Sequence, residues 1–129
     1  SLTERLVAGP LARPVAQADR DRAALHLLDW LGCALAGAVT AEGRALAPGG
    51  LALAGHRGGL GSLLEMDDVH RGALLHPGPV VVPVALGAAD PLAALVRGYE
   101  AMIRLGRSVG PGHYAMFHNT ATCGGIGAA

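Results

Sequence analysis

Glu65, Asp67, Asp68, His70, Arg71 and His76 fall within one short stretch of the chain, and a further histidine, His118, stands just ahead of Thr120. An imidazole titrates near neutrality and can both take and give a proton, so two of them beside a carboxylate suffice for general acid–base chemistry. His76 and His118 each stand in a loop ahead of an expected helix and are the base and acid candidates. Asp68, or its neighbour Asp67, would orient one of them by holding its tautomer. Arg71, Arg104 and the backbone amides at the start of a helix expected at Thr120 offer positive or donor groups to an anion. Arg71 is the better placed of the two arginines because it sits inside the acidic stretch. Glu65, Asp67, His70 and Thr120 complete, with Arg71, the candidate substrate-binding set.

The same residues have plainer uses. Loop histidines are commonly solvated or locally hydrogen-bonded, and adjacent acids such as Asp67-Asp68 commonly cap helices or face water. Asp67, Asp68, His70 and His76 are donors of the kinds that hold zinc, manganese or iron, but their spacing matches no specific metal motif, so no metal is expected. Two cysteines, Cys33 and Cys123, are too few for an iron–sulfur cluster and form no disulfide framework. Cys123 lacks the surroundings of an activated thiol and reads as a small packing residue.

Helices must position these groups. Ser1 and Glu4 have capping-box spacing, and Leu2 and Leu6 lie a turn apart, which predicts a short helix ending at Pro10. From Ala18 to Gly37, the apolar positions Ala24, Leu27, Leu28, Leu31, Ala34 and Leu35 recur at helical spacing behind a charged first turn. A helix over Glu42 to Leu46 followed by loop, and another over Leu60 to Val69 carrying the acidic residues, come next. His70 to Pro79 reads as a connecting loop. The valine run after Pro79 contains Pro83 and has no strand to pair with, so a buried helix is expected there. Asp90-Pro91 is a helix start, with Leu92, Leu95, Val96, Tyr99, Met102 and Ile103 as its apolar stripe, running to Gly106 or Val109. Gly110-Pro111-Gly112 breaks the chain, His113 to Asn119 reads as loop, and a small-residue helix capped by Asn119 or Thr120 follows.

The 129 residues are 51% hydrophobic and 16% charged, enough for one compact core and too short for two ordinary domains. Aromatics are scarce, which favours closely packed helices over sheets. The fold class is therefore all-α, a single helical domain over residues 1–129. Net charge is zero, with scattered basic residues that are all arginine, so neither nucleic acid nor an anionic membrane surface is an expected partner. Apolar runs are too short to span a bilayer and the N-terminus has no secretory-signal layout, which makes a cytoplasmic location the default.

Four segments in order, LDWLGCALAG (28–37), EMDDVHRGALLHP (65–77), GYE (98–100) and HYAMFHNTATCGGIGA (113–128), resemble the MmgE/PrpD family. The resemblance implies a helical domain followed by a separate α/β domain with substrate bound between them, of which this chain holds only the first part. It implies cofactor-free dehydration, decarboxylation or epimerisation of a small polycarboxylic acid. The family's acidic motif, usually Asp-Phe-Asp-Asp-Thr, corresponds to Glu65 through Val69, so a carboxylate is kept at Glu65 but a hydroxyl is lost at Val69. Its His-Pro pair corresponds to His76-Pro77, and its second histidine to His118, with Asn119 where the family has proline. The family's catalytic lysines and tyrosine lie outside the part represented here. A homo-oligomer, or a second chain supplying the missing domain, is the expected assembly. A non-catalytic binding or scaffold subunit, and a small biosynthetic enzyme with altered chemistry, are the competing readings. All versions of the catalytic reading require His76 and His118 to converge on one anion-sized pocket between helices.

Overall fold

The computed structural model of the protein describes residues 1, 4, 5, 8, 9, 12–46 and 54–129. Among these the chain forms helices only: α1 (Gln17–Ala38), α2 (Ala41–Leu46), α3 (Ala54–Ser62), α4 (Gly78–Ala85), α5 (Pro91–Ser108), α6 (Gly110–Tyr114) and α7 (Asn119–Gly127). No strand occurs among the described residues, and no helix there is long and apolar enough to cross a membrane. Of the expected first helix, Leu2, Leu6 and Pro10 lie outside the described residues; Glu4 N–H does donate to Ser1 Oγ at 3.1 Å.

The valine-rich helix α4 lies at the centre and packs against α1, α3, α5 and α7. Val81, Val82 and Ala85 of α4 meet Ala23 and Trp30 of α1, Leu95 and Met102 of α5, Cys123 of α7, and Ala73 and Leu75 from the loop before α4. Pro83 has no N–H to give to the carbonyl of Pro79, and Gly58 of α3 approaches that oxygen so closely that a Cβ there would lie 2.5 Å from it. Glycines set the helix spacing elsewhere too. A Cβ on Gly98 of α5 would stand 2.5 Å from the Gly127 carbonyl oxygen of α7, so the small-residue helix does what its composition predicts and lets its neighbour's backbone in.

Three elements differ from expectation. In α1 the buried face is Ala23, Trp30, Cys33 and Gly37, with Leu27 and Ala34 packed beside it, whereas Leu28 and Leu35 of the predicted stripe are 66% and 69% exposed. This helix is apolar on both sides, so periodicity alone does not say which side faces inward. The helix expected over Leu60 to Val69 lies earlier, as α3, because the close contacts are made by its glycines: a Cβ on Gly61 would sit 2.2 Å from the Trp30 indole nitrogen. The acidic residues therefore stand on irregular chain, residues 63–77, not on a helix. Finally, Gly110 takes a left-handed φ of 72° and breaks the chain as expected, but the short helix α6 forms directly after it.

Helix α5 starts at the expected cap, Asp90, whose carboxylate accepts from Ala93 N–H at 3.2 Å and from both guanidinium nitrogens of Arg20 at 2.9 and 2.6 Å. The Arg20 hydrogen bonds, then the Ala93 amide, hold the Asp90 carboxyl down to about 2 from an ordinary 3.8. A carboxyl depressed in the folded state stabilises it above the unfolded pKa and loses that contribution as pH falls through the folded one. Asp90→Asn is therefore expected to lower the urea midpoint near neutral pH, and the gap from wild type should close between about pH 5 and pH 2. A gap constant over that range, followed by circular dichroism, would refute the linkage.

Candidate functional site

The loop of residues 63–77 is pinned at both ends by its own backbone. Glu65 and Leu74 adopt left-handed φ values of 53° and 51°, unusual for side chains other than glycine, and His70 N–H donates to Leu75 O at 2.9 Å to close the tip. Leu75 and Ala73 fill the core under the tip, so the strained turn is held by burial. Ala73 O in turn accepts from the buried side-chain amide of Asn119 at 2.7 Å, which locks the start of α7 against the loop.

That lock brings the two distant histidines together. The ring centroids of His76 and His118 lie 6.3 Å apart with planes inclined at 30°. Thr120 joins them: its hydroxyl accepts from His76 N–H at 2.9 Å, and its own N–H donates to His118 Nδ1 at 3.3 Å. The N-cap of α7 is thus the His118 ring, in place of the Asn119 or Thr120 side chain expected from sequence. Behind His76, Asp67 is buried, and its Oδ2 lies 2.8 Å from His76 Nδ1. A carboxylate at that nitrogen keeps the proton on Nδ1 and leaves Nε2 of a neutral ring as a lone pair. His118 has the opposite arrangement, since Nδ1 is an acceptor and a neutral ring must then carry its proton on Nε2. Tyr114 flanks His118, with ring centroids 5.6 Å apart.

Asp68 turns the other way. Its Oδ1 accepts from Gly78 N–H at 2.9 Å, and its Oδ2 accepts from the Tyr99 hydroxyl at 2.7 Å and lies 3.3 Å from His26 Nδ1. It ties the loop to α4, α5 and α1, while Asp67 is the acid that holds His76. Burial first, and then the Asp68 charge, push the Tyr99 phenol far above its ordinary pKa, so Tyr99 stays a donor. His26 and Tyr99 are outside the sequence-derived site set. Their signal was present, because His26 falls in register with Ala23, Trp30 and Cys33 on the inner side of α1.

The remaining candidates are placed as follows. His70 Nδ1 accepts from Ala73 N–H at 3.1 Å and serves the turn. Glu65 and Arg71 are exposed on the same loop, and Arg104 is paired with Glu100. Cys33 and Cys123 are buried, and burial raises both thiol pKa values, which suits packing and not nucleophilic attack. Among the described residues no cluster of three metal-ligating side chains exists.

A cleft of about 160 Å³ opens between α1 and α5, lined by Arg22, His26, Leu95 and Tyr99 among others, on the far side of the Asp68 hub. His76 and His118 do not line the cleft between α1 and α5. They meet instead at an open surface, with Met116 and Phe117 exposed next to His118 in sequence, and Met66 and Val69 exposed on the loop. His118 is exposed and His76 half-buried, while Ala73 and Leu75 of the same loop are in the core.

A family model described as the MmgE/PrpD N-terminal domain matches residues 52–129, more than half of the chain, and covers the loop, the paired histidines and α7. Comparison with curated proteins and with solved structures returns no match.

Proposed function

Because the chain belongs to the MmgE/PrpD family, we propose that it carries the acid–base pair of a cofactor-independent lyase or isomerase acting on a small carboxylic acid. The observation that carries this is the opposed hydrogen bonding of the two rings at Nδ1: His76 lies 2.8 Å from the Asp67 carboxylate, which leaves Nε2 of a neutral ring bare, and His118 accepts from Thr120 N–H, which leaves Nε2 of a neutral ring protonated. His76 takes the proton from the carbon next to the substrate carboxylate, and the electron pair left behind moves into that carboxylate. His118 then gives its proton to a departing hydroxyl, which is water loss, or to the opposite face of the same carbon, which is epimerisation.

A gap of 6.3 Å between ring centroids is narrower than the roughly 7 Å that a planar group needs to sit between two rings in van der Waals contact. Substrate therefore meets the exposed edges of the imidazoles, and a second body has to close over it to exclude water. The exposed Met116 and Phe117 beside the pair are the kind of apolar rim such a body covers. A second domain or partner chain bearing cations would fill that role, since Arg71 alone is a thin complement for a polycarboxylate. The openness of this surface also favours a second reading, in which the same face binds a partner without catalysing anything.

The two readings separate in deuterium oxide. A panel of small di- and tricarboxylates, followed by proton NMR with the protein in its native assembly, should show solvent deuterium entering the carbon beside a carboxylate. Absence of exchange across the panel, with the fold intact, would overturn the enzymatic reading.

A further inference from the structure

The cleft between α1 and α5 is a place of its own, apart from the paired histidines. Arg22, Ala23 and His26 line it from one stripe of α1, a turn apart, and Leu95, Val96 and Tyr99 face them from α5. Ala23 and Leu95 are buried, so the inner wall is apolar and fixed. His26 is fixed too: its Nδ1 lies 3.3 Å from Asp68 Oδ2, and its ring centroid stands 5.2 Å from that of Tyr99, which Asp68 also holds. With Nδ1 committed to Asp68, Nε2 is the ring nitrogen left for a ligand. Arg22, one turn before His26, is exposed and has no carboxylate partner among the described residues, where Arg13, Arg20 and Arg104 are all paired. The acids nearby are engaged elsewhere. Asp68 accepts from Gly78 N–H and the Tyr99 hydroxyl, and Asp19, which also lines the cleft, accepts from Ala16 N–H at 3.4 Å at the start of α1.

We propose that this cleft is a second small-molecule site, independent of the acid–base pair, for a monocarboxylate with a branched aliphatic body, its carboxylate held between Arg22 and His26. Volume sets the size. An apolar cavity of about 150 Å³ accepts benzene, so a body of about five or six carbons fills a cleft of about 160 Å³. Charge sets the class. One unpaired guanidinium balances one negative charge, and its planar fork takes both oxygens of a carboxylate. In the imidazolium form His26 adds a second donor at Nε2 while Nδ1 keeps its bond to Asp68. The rest of the wall, Ala23, Leu95 and Val96, has no side-chain donor, so a di- or tricarboxylate would bring in a charge that nothing there answers. An occupant rests on the same hub that anchors the loop, since Asp68 joins His26 to the Gly78 amide two residues after His76.

Proton–carbon NMR of the labelled full chain tests this, with 4-methylpentanoate as the probe and the uncharged 4-methylpentanamide as its control of equal shape. A ligand of about eight heavy atoms in an open cleft binds in the millimolar range, so titration runs to about 100 mM. The expected result is saturable movement of the His26 ring signals and of the Leu95 and Val96 methyls, with the amide weaker by at least about tenfold. Arg22→Gln should weaken the acid to the level of the amide and, at an exposed position, leave circular dichroism unchanged. Absence of saturation by the acid overturns the proposal. An amide that binds as tightly as the acid overturns it too, because the cleft then selects apolar bulk alone, as does an Arg22→Gln chain that binds the acid like wild type. Movement of the His76 and His118 signals in place of His26 also overturns it; that result puts the acid at the histidine pair and leaves the enzymatic reading standing.

Discussion

Replacing His76 with alanine should slow deuterium entry into the substrate by roughly 10²- to 10⁴-fold, the usual contribution of a positioned general base. His76 Nδ1 reaches Asp67 and its main-chain N–H reaches Thr120, so only the first contact is lost with the ring and the loop keeps its backbone anchor. Urea midpoints should fall as well, because the buried Asp67 carboxylate loses its partner at a cost of about 1–3 kcal/mol. The companion variant Asp67→Asn is the sharper probe. Its amide nitrogen can donate to Nδ1, which favours the other tautomer and puts a proton on the nitrogen meant to accept one. Exchange should therefore fall nearly as far with the ring still present. Full exchange in His76→Ala, measured by NMR in a fold that circular dichroism shows unchanged, would remove His76 from the mechanism. His118→Ala should cost less in proton abstraction and more in any net dehydration, since that ring enters with the leaving group.

The largest stability effect is expected at Asp68. Asp68→Ala strands the Gly78 N–H and the Tyr99 hydroxyl, both part-buried donors, and removes the carboxylate beside His26. With about 1–3 kcal/mol for each donor left without a partner, the loss should reach about 3–4 kcal/mol. For a chain of this size that corresponds to a melting temperature lower by roughly 10 °C. Tyr99→Phe removes one hydrogen bond only and should cost about 1 kcal/mol. The two variants should be strongly non-additive, because Tyr99 has nothing to donate to once Asp68 is gone. Additive losses in thermal melts would mean that the hub is not a connected network. A filled position at Gly78 would also disturb it, since a Cβ there would lie 2.6 Å from Asp68 Oδ1.

The two neighbouring acids thus have different jobs, and their adjacency in sequence hides it. Asp67 stands at a bend in irregular chain, and the two carboxylates go to different neighbours. Asp67 faces His76 and α7, and Asp68 faces α4, α5 and His26. An irregular loop can do this where a helix, which would set the two carboxylates about 100° apart on one side, cannot. The displacement of α3 toward the N-terminus is therefore connected to the site: it frees residues 63–77 to reach both ways.

Sequence by itself determined the helical class, the N-cap at Asp90, the start of α4 near Pro79, the break at Gly110 and the small-residue character of α7. Each rests on local chemistry: a cap side chain, a fixed proline φ, a glycine tolerating the left-handed region, or the absence of side-chain bulk. Sequence also named His76 and His118 as a pair through motif resemblance. Only the tertiary structure decided which face of α1 is buried, that Asp67 and not Asp68 holds the histidine, that His26 and Tyr99 join the hub, and that the imidazoles meet at an open rim. Those outcomes depend on contacts between segments far apart in the chain, such as Asn119 with Ala73 and Gly61 with Trp30, where an ångström of approach outweighs any local preference.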